Sequence, residues 1–203
     1  MNKSKFDIEN INSISRAISE NNIIPYEELP HYDLFLSQVI DFLNDKFDTD
    51  NYTNNIVQNY IKSEVMSKPE DSKKRGYTKL HLVQLVLISY MRPILTADEI
   101  EKVFRLAFNE INDREDDIIS WESSYKIFAD MQKESFNNFS GKQFCDKGKL
   151  QKIIDTLELK KSDEKRISVF LVVMTLVSQA SAIKRLAQRI IEEYEDCEEI
   201  EEN

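Results

Sequence analysis

Glycine is scarce in this chain, with three residues in 203. A glycine-rich phosphate loop and a nucleophile elbow are both missing. The four prolines are as sparse, and runs of alternating polarity are few, so the composition points to a mostly helical fold. Two cysteines, Cys145 and Cys197, are too few and too scattered for a disulfide framework or a thiolate metal site. Neither of the two histidines, His31 and His81, has a Cys, His or carboxylate at ligand spacing, so no metal is expected. His81 falls on a largely apolar segment and reads as a hydrogen-bonded structural residue. The most apolar run, Ile167 to Val177, is about half a membrane span. Lys165 and Arg166 flank it, and a buried helix rather than a membrane partner is expected. No apolar stretch follows the opening Met-Asn-Lys-Ser-Lys, so no secretory signal is expected and cytoplasm is the default location. No set of residues suggests a mechanism, so neither an enzyme nor a cofactor is expected.

Positive charge is also in deficit, and the formal net charge is −10. Its distribution matters more than its sum. Residues 192 to 203 hold eight acids and no base, which leaves −2 for the remainder. Between Thr53 and His81 six Lys and Arg face three Asp and Glu, a local +3. That balance is compatible with a nucleic-acid partner and weaker than a uniformly basic domain.

The local excess coincides with a patterned stretch. Set on a helix, Asn51, Asn55, Gln58, Asn59 and Lys62 share an arc of roughly 100°. Ile56, Val57, Tyr60 and Ile61 take the other side. Asn and Gln bond bidentately to adenine edges, and Lys reaches guanine or phosphate. An ordinary solvated helix face satisfies the same pattern. The loop that follows, Lys68-Pro69-Glu70-Asp71-Ser72-Lys73-Lys74-Arg75-Gly76, sets cations beside turn residues. Carried on a hairpin, Lys73, Lys74 and Arg75 would lie along the sugar-phosphate backbone and fix register without reading bases. A solvated basic loop is the alternative. Candidate DNA-binding residues are therefore Asn54, Asn55, Gln58, Asn59, Lys62, Lys73, Lys74, Arg75 and Lys79.

Along the chain, Ile11, Ile14 and Ile18 suggest a short N-terminal helix, and Pro25 to Pro30 a linker. From Asp33, Leu36, Val39, Ile40, Leu43 and Phe47 form a helical stripe. Thr53 caps the polar-faced helix. Thr78 caps an apolar helix through Met91, and Pro93 steers Arg92 out of the helical region. Thr96 and Glu99 make a capping box for a helix striped by Ile100, Val103, Phe104, Ala107 and Ile111. The charged run from Asn112 to Asp117 is the candidate boundary. Beyond it Ser120 caps a helix with Trp121, Tyr125, Phe128, Met131 and Phe139 on one face. Leu150, Ile153, Ile154 and Leu157 mark a short helix, and Ser162 opens the longest one, to about Glu193. A disordered acidic tail is expected after that.

Residues 53 to 104 resemble the DNA-binding half of MerR-type regulators, through NYIKSEVM, KKRG, YTKLHL and LTADEI in that order. More closely, residues 26 to 104 look like an uncharacterised bacterial family catalogued as domain of unknown function 1836, through EELPHYDLFLSQVIDFL, NYIKSEVMSKP and YTKLHL. The resemblance implies a winged helix-turn-helix and a role in transcription. Gln58 stands where MerR-type regulators usually carry arginine, which removes a phosphate contact. Glu64 stands where they have a turn glycine, which bears on the geometry of the wing.

The expected architecture is mostly α: a MerR-like winged helix-turn-helix module over 30–111, then a helical oligomerisation or sensing module over 118–195. Sequence-specific binding of double-stranded DNA, as a repressor, is the expected function. A helical protein-interaction module that keeps the winged-helix shape without binding DNA is the alternative. A homodimer is expected through Ile183, Leu186, Ile190 and Ile191, although the same stripe would also pack within one chain. The C-terminal helices leave room for a small-molecule effector that the sequence does not name.

Overall fold

Capping side chains set where the helices begin. In a computed structural model that describes residues 24–47, 51–69, 76–141, 147–156 and 160–201, with Ile14 and Ile18, seven helices are seen. They are α1 (Leu36–Lys46), α2 (Asn54–Lys62), α3 (Lys79–Met91), α4 (Ala97–Phe108), α5 (Trp121–Gly141), α6 (Lys147–Thr156) and α7 (Lys161–Glu201). The Thr53 hydroxyl accepts from the Ile56 amide at 3.4 Å. At α4 the Thr96 amide donates to Glu99 Oε2 at 2.7 Å while the Glu99 amide donates to Thr96 Oγ1 at 3.3 Å, the expected reciprocal box. Ser120 Oγ accepts from the Ser123 amide at 3.1 Å to start α5. At α3 His81 Nδ1 accepts from the Thr78 amide at 3.0 Å, which gives that histidine the structural role read from the sequence.

Two details depart from expectation. Arg92 keeps helical dihedrals, φ −56° and ψ −28°, although Pro93 follows. Its amide holds Ile88 O at 2.8 Å and its guanidinium lies 4.5 Å from the Tyr52 ring centre, which outweighs the steric bias. The longest helix also runs on to Glu201 rather than stopping near Glu193. No glycine or proline interrupts that acidic segment, and glutamate is a good helix former.

The chain divides into two compact units, Asn22–Glu134 with Ile191–Asn203, and Met1–Asn21 with Ser135–Ile190. In the first, α3 is the central spine, buried from His81 to Ser89. Val39 and Leu43 of α1, Val57 of α2, and Ile100, Phe104 and Phe108 of α4 join its core. The core reaches back to Ile24 and Leu29 and forward to Trp121 and Tyr125, so it extends on both sides of 30–111. The Pro25–Pro30 segment is part of this packing: Leu29 is fully buried, and just ahead of the segment Tyr125 Oη donates to Ile24 O at 2.7 Å. The charged run from 112 to 117 closes back on α4, with the Ile118 amide on Ala107 O at 3.0 Å and Asn109 Nδ2 on Asp116 O at 2.6 Å. Trp121 then stacks on Phe108 at 3.5 Å and meets Phe104 edge-on at 5.0 Å.

Among the described residues no strand forms. The one sheet-like contact there is an antiparallel bridge between Leu34 and Tyr77, with N···O distances of 2.8 and 3.3 Å. In the second unit Leu150 and Ile154 of α6 and Val172 of α7 are buried. Within α7, Asp163–Glu192 is long and apolar enough to cross a membrane, by length and composition. The burial expected of Ile167 to Val177 is not seen: Val172 is buried, but Phe170, Val173, Met174 and Val177 are exposed.

Candidate nucleic-acid interface

The polar-faced helix is held from its apolar side. Asn44 of α1 brackets Tyr52, its Oδ1 accepting from the Tyr52 amide at 2.6 Å and its Nδ2 donating to Tyr52 O at 3.1 Å. That pair fixes the turn between α1 and α2. The Tyr52 hydroxyl reaches Ser89 Oγ at 2.8 Å and Leu85 O at 3.3 Å, pinning the turn to α3; burial pushes its pKa up. Val57 is fully buried, and Ile56, Tyr60 and Ile61 pack against the core. Asn54, Asn55, Gln58, Asn59 and Lys62 are all exposed. The two faces of α2 therefore divide as the periodicity implies.

The C-terminus of α2 explains the residue that stands where a glycine was expected. The Val65 amide bonds Tyr60 O at 3.0 Å and the Glu64 amide bonds Ile61 O at 3.3 Å. This is a Schellman cap, which requires a left-handed residue after the helix. Glu64 supplies it with φ of 56°, at a steric cost that glycine would avoid. The cap is thus made without a glycine. Ser67 follows, its amide and hydroxyl both donating to Gln84 Oε1 at 3.2 and 2.8 Å. The Lys68 amide donates to Asn112 Oδ1 at 3.0 Å. These bonds aim the chain into the loop from a defined point.

Lys73, Lys74 and Arg75 lie outside the described residues. The chain is met again at Gly76, and Tyr77 pairs with Leu34 just ahead of α1. Gln58 Nε2 donates to Tyr77 Oη at 3.4 Å, so one side chain of the polar face touches the segment returning from the basic loop. Lys79 is engaged elsewhere: its Nζ sits 3.7 Å from the centre of the Tyr26 ring. Lys126 approaches the same ring at 4.8 Å and pairs with Glu122 at 2.7 Å, while Tyr26 Oη donates to Glu122 Oε2 at 3.2 Å. The hydrogen bond from Lys126 holds the Glu122 carboxyl below its ordinary value. This cluster tethers the N-terminal segment to α5, and no feature of the sequence pattern alone pointed to it. A separate apolar recess of about 240 Å³ opens between α3, α4 and α5, lined by Leu87, Tyr90, Val103, Ala107 and Phe128 among others.

A helix pair joined by a pinned turn, with an exposed amide-rich second helix, defines a mostly helical protein whose first unit presents one polar helix face. The chain belongs to the family described as domain of unknown function (DUF1836), whose model matches residues 24–128. That span runs from the first buried residue of the N-terminal core to Phe128 of α5, which packs against it. No curated protein and no solved structure matches the chain.

Proposed function

We propose that residues 24–128 form a MerR-like winged helix-turn-helix and that the protein is a cytoplasmic, sequence-specific repressor acting on double-stranded DNA. The observation that carries this reading is the exposed face of α2. Asn54, Asn55, Gln58, Asn59 and Lys62 all face solvent on a helix whose opposite side is sealed. Amides on a rigid helix suit the donor–acceptor pattern of the major groove. Lys73, Lys74 and Arg75 follow in sequence and would take the phosphate backbone, the part a wing plays. In this reading the loop itself is the wing. Selection from random genomic fragments tests it. Retained fragments should share a common sequence, and transcription from a promoter carrying that sequence should fall when the protein is added. Failure to retain any duplex at low salt would sink the proposal.

The net charge of −10 favours a second reading, a protein-interaction module of the same shape. It predicts that the α2 face is protected by a protein partner and that duplex DNA leaves it unprotected.

A further inference from the structure

The longest helix leaves half of its own apolar stripe uncovered. Val169, Val172, Leu176, Ile183, Leu186 and Ile190 of α7 recur at coiled-coil spacing and share one face. Val172 is 3% exposed and its stripe neighbours Val169 and Leu176 are half-buried, whereas Ile183, Leu186 and Ile190 are 64%, 62% and 58% exposed. We infer that this second part of α7 pairs in antiparallel orientation with the same segment of a second copy of the chain.

Charge identifies the occupant. Lys184, Arg185 and Arg189 stand among the bare apolar residues, and seven acids with no base follow between Glu192 and Glu201. A parallel pair in register would set acid against acid and base against base. An antiparallel pair crossing near Ile190 sets Lys184 and Arg185 of one copy beside Asp196 and Glu195 of the other. It also opposes the two helix dipoles. In that register Ile190 meets Ile190, and Leu186 and Ile183 stand opposite Tyr194 and Cys197 of the other copy. Exposed ion pairs contribute little each, so these apolar positions supply affinity and the charges supply orientation. A lipid bilayer fits the same segment less well. The uncharged run within it, Ile167 to Ile183, is 17 residues. At roughly 1.5 Å per residue such a run spans about 26 Å, short of a hydrocarbon core of roughly 30 Å. Ser168, Thr175, Ser178, Gln179 and Ser181 interrupt it. Phe170, Met174, Val177 and Ile183 are exposed within it, while Leu186 and Ile190 lie beyond it among three cations.

Sedimentation of the full chain at tens of micromolar should give a dimer, and Leu186→Glu should give a monomer with unchanged circular dichroism. Lys184→Glu with Arg185→Glu should weaken association at low salt by about tenfold or more, and adding Glu195→Lys with Asp196→Lys should restore it. In a parallel pair the first double change swaps one like-charge contact for another and leaves association as it was. The charge variants keep the test open if Leu186→Glu fails to fold. A spin label at Ser178→Cys, in a Cys145→Ser and Cys197→Ser background, should then read roughly 35–40 Å between copies, against about 10–15 Å for a parallel pair. Three results overturn the inference: a monomeric full chain, the short label distance, or a monomer that floats with phosphatidylcholine–phosphatidylglycerol vesicles. The DNA reading rests on α2, so any of these would leave that reading standing.

Discussion

Glu64 is a non-glycine residue in a position shaped for glycine, with φ of 56° at the end of α2. Removing its side chain relieves the Cβ clash but adds freedom to the unfolded chain, and the first effect is the larger where φ is positive. Glu64→Gly should therefore raise stability by about 0.5–1 kcal/mol in thermal or denaturant unfolding. A loss of stability would show that the carboxylate makes a compensating contact. The exposed face of α2 makes the opposite kind of prediction. Asn55→Ala and Gln58→Ala should each cost about 1–3 kcal/mol of discrimination at one or two base pairs. Both should move stability by no more than about 0.5 kcal/mol, because exposed substitutions seldom do more. The Gln58 bond to Tyr77 is long at 3.4 Å and does not change that expectation. Marked unfolding by either variant would mean that this face is structural.

The helices themselves were legible where period and caps agreed. α1, α2 and α4 carry clean apolar stripes, and Thr53, Thr96 and Ser120 are short polar residues one step before α2, α4 and α5. What the pattern could not give was which helix packs on which. The charged run from 112 to 117 looks like a linker by composition, yet hydrogen bonds to Ala107 and Asn109 fold it back and deliver Trp121 onto Phe104 and Phe108. The Pro25–Pro30 segment was similarly opaque, because its anchors, Tyr26 to Glu122 and Ile24 to Tyr125, join residues about a hundred positions apart. Trp121 is 5% exposed, so Trp121→Ala should destabilise the N-terminal core by about 3–5 kcal/mol. Hydrogen exchange locates the effect: α1 to α4 should lose protection. Loss confined to α6 and α7 would place Trp121 outside the core described above.

Across the molecule, charge is the term on which function turns. A net of −10 repels a polyanion at long range, yet eight of the acids are confined to residues 192 to 203. The stretch from Thr53 to His81 carries a local +3. Short-range contacts then decide, because fields between exposed charges are screened within about 8–10 Å at ordinary salt. The exposed amide face of α2 was visible in the sequence as a pattern; its exposure and the pinned turn were not, since each depends on residues brought together from α1 and α3. The left-handed cap is local, but Glu64 carries no glycine signal for it. The most direct test is duplex affinity measured across a salt series, for the wild type and for Lys73→Ala, Lys74→Ala, Arg75→Ala combined. Binding should weaken with a log–log slope of roughly −0.9 per phosphate contacted, and the triple variant should bind every sequence more weakly with a shallower slope. No binding at low salt, or a triple variant that keeps both the affinity and the slope of the wild type, would contradict it.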